Sequence, residues 1–174
     1  MLCHSITETE LFKKDWREYY AQNKLDGTRA ILIKQGDKIN LISRTNNDYT
    51  HLYPQIVDEA KDLPNCIIDG ELTFYDSKGN DIFLTSLATK ETIREYGVKP
   101  KLMIFDILEL NGLDVKREPL MKRKEYLKGI ISPYWQNIKL LEFHDEPFKL
   151  WEMVKANDSE GIILKHKRSS YIPN

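Results

Sequence analysis

Apolar residues recur along the chain with helical and strand-like spacings, and this pattern predicts the order of the elements. Helical spacing covers residues 8–20, and two strand-like runs at residues 28–35 and 39–44 are separated by a turn signal at residues 36–38. Further helices are predicted at residues 52–60, 85–96, 119–131 and 147–156, and further strands at residues 66–75, 101–110, 138–143 and 160–165. Hairpins alternating with helices favour an α+β fold with mainly antiparallel sheets.

Length and composition bound the class of protein. With 174 residues, of which 41% are hydrophobic, the chain can bury a core, and we expect a single domain. It contains no apolar run long enough to span a membrane and no secretory signal, so a soluble cytoplasmic protein without membrane contact is predicted. Cys3 and Cys66 form no CxxC pair, which argues against a disulfide framework or a thiolate zinc site. Cys66 is predicted to lie in the core.

The overall charge does not indicate a polyanionic partner. The 26 Lys and Arg residues nearly balance the 27 Asp and Glu residues, leaving a formal net charge of −1. Any contact with nucleic acid must therefore be local. Short basic runs at residues 116–117, 122–124 and 165–168 are candidates, although runs of this length usually form solvated surface.

Lys24 is the candidate nucleophile, because it opens the segment Lys24-Leu25-Asp26-Gly27 just before the predicted hairpin. A lysine amine attacks phosphorus only when it is neutral, and an unperturbed lysine has a pKa of about 10.4. A nucleophilic lysine therefore needs partial desolvation, neighbouring cations or a metal ion. Arg29 follows closely in the sequence.

Phosphoryl-type transfer requires further groups, and later strands carry them in a fixed order. The reaction needs carboxylates for a divalent metal, cations for the phosphates and a flat apolar ring for a base. The candidates are Glu71 and Glu160 for the metal, Arg44, Lys165 and Lys167 for the phosphates, and Phe105 or Tyr75 for the base. Each motif alone is weak evidence for this function, and the occurrence of all of them in this order is stronger evidence.

This ordered series resembles the adenylation domain of ATP-dependent DNA ligases, in the covalent nucleotidyltransferase superfamily. The matching segments are residues 24–27 for the nucleophile motif, 43–44 with 48–50 and 53–54 for the next signature, 69–71 and 102–106 for the third motif and its companion, and 160–165 for the fourth. The resemblance covers residues 20–174 and implies the fold of the ligase catalytic core. The second signature favours DNA ligases over capping enzymes.

The resemblance implies a role for each matching residue. Lys24 would attack the α-phosphate of ATP, expel pyrophosphate and become lysyl-AMP. The implied nucleotide contacts are Gln22 and Asn23 before the nucleophile, Arg29 and Glu71 at the ribose and nearby phosphate, Arg44 at the phosphate of AMP or of the nick, Phe105 on the adenine and Lys165 at the α-phosphate. Glu160, together with Glu71, would hold Mg²⁺ or Mn²⁺. Gln22 stands where many of these ligases carry a glutamate.

The resemblance also implies partners. AMP would pass to a 5′-phosphate of nicked double-stranded DNA, as in DNA repair, replication and recombination, and a monomer located in the cytoplasm or at the nucleoid is expected. Residues 1–174 read as a single adenylation domain that stops before the last nucleotidyltransferase motif and the OB-fold domain, which would act in cis or in trans. We therefore expect slow self-adenylation and poor nick sealing by these residues alone.

Two other functions remain compatible with the sequence. An RNA ligase or a capping-type guanylyltransferase would use the same Lys24 chemistry. A catalytically silent nucleotide-binding or interaction domain would retain the fold without the reaction. His144, Asp145 and Glu146 are adjacent on an extended segment and are predicted to form a solvated loop, not a metal site.

Overall fold

The structure, a computed structural model, describes residues 5–13, 15–78, 81–82 and 97–173. Its helices are α1 (Glu8–Lys13), α2 (Pro54–Ala60), α3 (Leu120–Ile130) and α4 (Pro147–Ala156). Its strands are β1 (Tyr19–Asn23), β2 (Thr28–Gln35), β3 (Lys38–Ser43), β4 (Cys66–Tyr75), β5 (Asp81–Ile82), β6 (Lys99–Leu110), β7 (Leu113–Asp114), β8 (Ile138–Leu140) and β9 (Ile162–His166). The helix predicted at residues 85–96 lies outside the described residues. Within the described ranges, no helix is both long and apolar enough to cross a membrane.

Seven of the strands form one large sheet, with the order β3-β2-β4-β6-β7 and with β5 beside β4 and β8 beside β6. The pair of β6 and β8 is parallel, and the other pairs are antiparallel. The predicted hairpin is confirmed, since β2 and β3 pair from Ala30 opposite Ser43 to Gln35 opposite Lys38. Gly36 makes the turn with a φ of 55°, a conformation that glycine adopts at little cost. The predicted α+β architecture is thus confirmed.

The two faces of the large sheet have different neighbours because side chains alternate along each strand. One face buries Leu32, Ile68 and Ile104 in a core that is closed by Ile56 of α2 and Leu127 of α3. Cys66 belongs to this core, as predicted. The opposite face carries the polar and half-buried residues of β2, β4 and β6 and is turned towards the second sheet.

The second sheet pairs β1 with β9 and corrects the prediction for residues 8–20. The helix ends at Lys13, and Tyr19 and Tyr20 instead open a strand that pairs with β9. Aromatic residues suit a half-buried strand, and the cross-strand ladder satisfies the backbone that a longer helix would have used. One face of this sheet packs Ala21 against Leu150 and Val154 of α4.

Strand β8 is also shorter than predicted, because the chain leaves the large sheet after Leu140. It crosses to the second sheet, where the backbones of Ala21 and His144 exchange hydrogen bonds of 2.9 and 2.8 Å. The segment after Leu140 therefore ties the two sheets together. His144 makes this bridge with its backbone, and Asp145 and Glu146 are exposed.

Two residues of the basic run at residues 122–124 are buried, which corrects the sequence prediction for them, whereas Lys122 is exposed. Arg123 is 1% exposed and forms two hydrogen bonds with Asp106, at 2.7 and 3.1 Å. Lys124 is 7% exposed, and its Nζ atom lies 3.7 Å from the ring centroid of Tyr20 and 3.5 Å from that of Phe143. The buried aspartate compensates the charge of Arg123. Burial lowers the pKa of Lys124 to about 7, so its contacts with the two rings do not fully offset the loss of water.

Candidate functional site

Lys24 follows the last residue of β1 and lies beside the start of β9. Its backbone N–H donates to the carbonyl oxygen of Gly161 over 2.9 Å, and its Nζ atom is ion-paired with Glu160. Gly161 has a φ of 150°, a region in which a side chain is strained, so glycine at this position allows the chain to bring Glu160 back to Lys24. The side chains of Lys24 and Glu160 are 46% and 36% exposed, which leaves the amine accessible to a ligand.

Gly27, the glycine of the nucleophile segment, is required by a close approach of β4. A Cβ atom at this position would lie 2.5 Å from the carbonyl oxygen of Leu72 and 2.9 Å from Cγ of Glu71. Backbone oxygen cannot move away without breaking the sheet. Glycine therefore fixes how closely the loop that carries Lys24 packs against Glu71.

Glu71 is the carboxylate whose charge the fold changes most clearly. It lies opposite Arg29 in the pairing of β2 with β4, so both side chains are on the face turned towards β1 and β9. Burial, assisted by the negative charge of Asp69, raises the pKa of Glu71 to about 7. The charges of Arg29 and Lys24 act in the opposite direction. Glu71 and Lys24 thus lie within electrostatic reach of each other.

Arg29 is held by two residues that the sequence reasoning did not select. Its Nε and Nη2 atoms donate to the two carboxylate oxygens of Asp69 over 3.0 and 2.7 Å, and Nη2 also donates to the hydroxyl of Tyr171 over 2.6 Å. The Tyr171 hydroxyl donates in turn to Asp69 over 2.9 Å. Asp69 lies in the segment of residues 69–71 that the sequence analysis names, whereas no sequence pattern indicates a role for Tyr171. The hydrogen bond with Asp69 keeps the pKa of Arg29 above its usual range.

Phe105 and Lys165 meet where the two sheets face each other. The Nζ atom of Lys165 lies 4.5 Å from the ring centroid of Phe105, close enough for a cation–π contact. In the β1–β9 pairing, Ile162 is opposite Asn23, the residue before Lys24. Lys165 lies three residues further along β9, opposite Tyr20. Three residues of strand span about 10 Å, so Lys165 fits the base end of a bound nucleotide better than its α-phosphate. Its predicted phosphate contact stays a prediction.

Gln22 faces the large sheet from β1, on the same side as Tyr20, since alternate residues share a face. It is 1% exposed, and among the described residues its Nε2 atom has no hydrogen-bond partner. A buried amide without a partner costs free energy that an acceptor on a ligand would recover. Its predicted contact with the nucleotide stays a prediction.

Arg44 and Asn23 are the most accessible of the predicted nucleotide contacts. Asn23 ends β1 and is exposed. Arg44 follows Ser43, which pairs with Ala30, so Arg44 leaves β3 at the level of Arg29. It is exposed, and within the described ranges no hydrogen bond or ion pair engages its guanidinium. Both side chains are accessible to a ligand, and their positions do not identify which group of the ligand they would contact.

The carboxylates suit a magnesium ion bound largely through water and phosphate. The described residues contain no group of three or more His, Cys, Asp or Glu side chains able to hold a metal ion. Mg²⁺ usually takes one or two protein carboxylates and completes its shell with waters and substrate phosphates. Glu160, partly exposed beside Lys24, fits this requirement, and Glu71 is the nearest second carboxylate that the sequence predicted.

A separate surface cavity of about 300 Å³ lies on the other side of the second sheet. It is lined by Phe143, His144, Asp145, Glu146, Lys149, Leu150 and Met153. It contains none of the predicted site residues.

A family model described as the ATP dependent DNA ligase domain matches residues 1–174. The chain belongs to this ATP-dependent DNA ligase family. The resemblance to the adenylation domain of ATP-dependent DNA ligases, read from the sequence, is therefore confirmed. The match covers the whole of this chain, and the ligase domain also has curated relatives.

The relatives of the ligase domain are DNA ligases of much greater length. The DNA ligase of Sulfophobococcus zilligii is 32% identical over an alignment of 190 positions that covers 98% of this chain and 31% of the relative. DNA ligase 4 of Candida glabrata is 31% identical over an alignment of 185 positions that covers 92% of this chain and 19% of the relative. The ligase domain thus spans less than a third of each of these proteins.

Solved ligase structures share the fold of this domain. A mycobacterial DNA ligase D in complex with ATP and MES superposes with a TM-score of 0.72 at 23% identity, covering 90% of this chain and 50% of that one. A structure of Lig E DNA ligases gives a TM-score of 0.61 at 20% identity, covering 94% and 60% of the two chains. At these identities the likeness establishes the fold.

Proposed function

We propose that this ligase domain carries out covalent adenylation, with Lys24 as the nucleophile and ATP as the nucleotide donor. The neutral Nζ atom attacks the α-phosphorus of ATP and forms a P–N bond. The bond from the α-phosphorus to the oxygen that bridges to the β-phosphate breaks, and pyrophosphate leaves. The proton lost by the amine passes to solvent or to a nearby carboxylate.

One observation carries this proposal. Lys24 is accessible and is fixed between β1 and β9, where Glu160 pairs with its amine and the charge of Glu71 acts on it. The glycine-dependent approach of β4 holds Glu71 close to the loop that carries Lys24. A bound divalent cation would have to draw the carboxylates away from the amine before the amine could attack in its neutral form. The mycobacterial ligase D of the same fold is complexed with ATP, which supports ATP as the donor.

The nucleotide is proposed to lie between the two sheets, with its base towards Phe105. Phe105 offers a ring, and Gln22 offers an amide donor that no described residue accepts. Arg29 and Glu71 are opposite each other in the pairing of β2 with β4, and they are proposed to contact the ribose and the α-phosphate. Asn23 and Arg44 are proposed contacts at the accessible edge.

Glu160 is proposed to hold a divalent cation at Lys24, with Glu71 as the second carboxylate. A bound Mg²⁺ or Mn²⁺ would neutralise charge on the phosphates. The ion pair between Glu160 and Lys24 holds the carboxylate and the amine together. Glu160 thus lies where a phosphate-bound cation would need an oxygen ligand.

The second and third steps are also proposals, because this domain spans only part of its relatives. AMP passes from Lys24 to the 5′-phosphate at a DNA nick and forms a phosphoanhydride. The 3′-hydroxyl then attacks that phosphate and releases AMP, which seals the strand. A sealing assay on a nicked DNA duplex decides whether these residues need a further domain to complete the reaction.

Covalent labelling tests the nucleophile and the donor together. The 174-residue chain is incubated with Mg²⁺ and α-labelled ATP, GTP or NAD, denatured and separated on a gel. We expect label from ATP, none with Lys24→Ala, and normal labelling with Lys38→Ala, which removes an exposed lysine in the Gly36 turn. Label that persists in Lys24→Ala would overturn the nucleophile assignment.

The same assay separates the competing functions. Label from GTP alone would indicate a capping-type enzyme, and no label from any donor would indicate a silent domain. Transfer of AMP from the labelled chain to a nicked RNA duplex in preference to DNA would indicate an RNA ligase. Transfer to the DNA 5′-phosphate supports the proposed substrate.

A further inference from the structure

Tyr171 connects the last described segment of the chain to Arg29, a residue 142 positions earlier in the sequence. The tyrosine is 7% exposed, and its hydroxyl accepts a hydrogen bond from Arg29 while donating one to Asp69. The three side chains therefore form a closed triangle of hydrogen bonds. Asp69 is fully buried, with 0% of its side chain exposed.

The triangle determines which part of the Arg29 guanidinium remains for a ligand. A guanidinium has five N–H donors in one plane. Asp69 takes the Nε donor and one Nη2 donor, and Tyr171 takes the other Nη2 donor. The two donors of Nη1 engage none of the described residues. Arg29 is 24% exposed, so this remaining edge is accessible to an anion or a hydroxyl.

The segment that carries Tyr171 is held independently of Arg29. The backbone N–H of Tyr171 donates to Lys116 over 2.7 Å, and the Ser169 carbonyl accepts from Arg123 over 2.9 Å. Arg123 is itself paired with Asp106. The Tyr171 hydroxyl is thus held in place and fixes the Arg29 guanidinium in turn. Without it, Asp69 would leave the second Nη2 donor of Arg29 without a partner.

We propose that Tyr171 is a positioning residue for nucleotide binding, because its hydroxyl fixes the Arg29 guanidinium with the Nη1 edge directed at the ligand. The inference rests on the proposed function of the same site. Tyr171 touches no reacting atom and acts through Arg29. Its contribution therefore appears in the affinity for ATP and not in the chemical step.

The test compares Tyr171→Phe, which removes only the hydroxyl, with the matched variant Ser170→Ala, which removes a neighbouring exposed hydroxyl that contacts Arg117 over 3.3 Å. The rate of covalent labelling is measured against ATP concentration. We expect the half-saturating ATP concentration to rise about tenfold in Tyr171→Phe, as for loss of a hydrogen bond to a charged group, with a limiting rate changed less than about threefold. Ser170→Ala should match the wild type.

A double-mutant cycle with Arg29→Lys distinguishes positioning from general support of the fold. Lysine keeps the charge and loses the planar fork. If Tyr171 acts through that fork, Tyr171→Phe should raise the half-saturating concentration less than about twofold in the Arg29→Lys background. A full additive effect, or an unchanged half-saturating concentration in Tyr171→Phe alone, overturns the inference.

A second measurement does not depend on adenylation. In ¹⁵N-resolved NMR spectra of the wild-type chain, Arg29 should show separate, slowly exchanging Nη2 proton signals, and these should merge or exchange faster in Tyr171→Phe. Freely rotating Arg29 in the wild type contradicts the inference even if the variant fails to fold. Absence of labelling in the wild type would overturn the proposed function, and the NMR result would still decide the role of Tyr171.

Discussion

Glu71 lies half-buried beside Asp69, and its environment makes the neutral carboxyl group the favoured form over much of the acidic range. Burial contributes most to this, and the pKa of Glu71 reaches about 7 from an ordinary value of 4.5. The same carboxyl is therefore partly ionised at neutral pH, where a bound cation or nucleotide could change its charge. Ionising the buried Glu71 carboxyl therefore costs folding free energy, and a bound cation would reduce this cost.

Because ionised Glu71 destabilises the folded chain, replacing it in Glu71→Gln should raise the free energy of unfolding at high pH. Because the folded-state pKa of Glu71 lies above the unfolded value, the stability contributed by its neutral form is present below pH 4.5 and is lost as pH rises to about 7. Urea unfolding near pH 4.5 should give wild type and variant similar free energies of unfolding. At pH 8 the variant should be more stable by about 1–2 kcal/mol, allowing for partial exposure.

A control for this experiment is Glu142→Gln, because the side chain of Glu142 is 85% exposed. It should follow the wild type at both pH values. An equal or lower stability of Glu71→Gln at pH 8 would show that the Glu71 carboxylate is better solvated than its burial indicates.

Helix α2 is tied to the start of β8 by one glutamate. The carboxylate of Glu59 accepts hydrogen bonds from the backbone N–H groups of Gln136, Asn137 and Ile138, at 2.7, 2.9 and 2.8 Å. It also accepts from Nδ2 of Asn137 over 3.0 Å. Strand β8 has only three residues and lies parallel to β6, so its own ladder is short. Glu59 supplies the acceptors that fix where this strand begins.

Removing this carboxylate should destabilise the domain. Glu59→Ala leaves several backbone donors without a partner, and we expect a loss of about 2 kcal/mol in the free energy of unfolding. Asp58→Ala on the same helix removes an exposed ion pair with Lys61 and should change stability by less than about 0.5 kcal/mol. Urea unfolding at pH 7 measures both. Equal effects of the two substitutions would contradict the proposed tie.

Across the whole molecule, positive charge is spread and largely compensated. The net charge is −1, and in the run at residues 122–124 only Lys122 is exposed, where it pairs with Glu125. Lysines in the other runs are also paired, as Lys116 is with Asp114 and Lys167 with Asp145. Affinity for DNA depends mainly on the number of phosphates neutralised. The domain alone therefore offers DNA few contacts.

Binding of nicked duplex DNA by this chain should be weak and only moderately salt-dependent. We expect a Kd above about 10 μM near 150 mM salt, with a slope of log K against log salt smaller in magnitude than about 3. Fluorescence anisotropy from 50 to 200 mM KCl, with an intact duplex as control, measures both quantities. Submicromolar binding with a steep slope would reveal a basic surface that the net charge conceals.

The sequence by itself determined the nucleophile segment, the order of the site motifs and most of the strands, because these depend on local composition and on alternation along the chain. That order selected Lys24, Glu71 and Glu160, and the fold pairs Lys24 with Glu160 and brings it within electrostatic reach of Glu71. The length of the first helix was misjudged, since the pairing of β1 with β9 outweighed its helical spacing.

Only the tertiary structure decided which charged residues are buried and what holds them. Nothing in the sequence distinguishes Arg123 from its lysine neighbours or links Tyr171 to Arg29, because both relations arise from side chains distant in sequence that meet across packed elements. Sequence patterns report which face of an element is apolar. The partner of a buried polar group depends on how those faces are stacked, and that is fixed by packing.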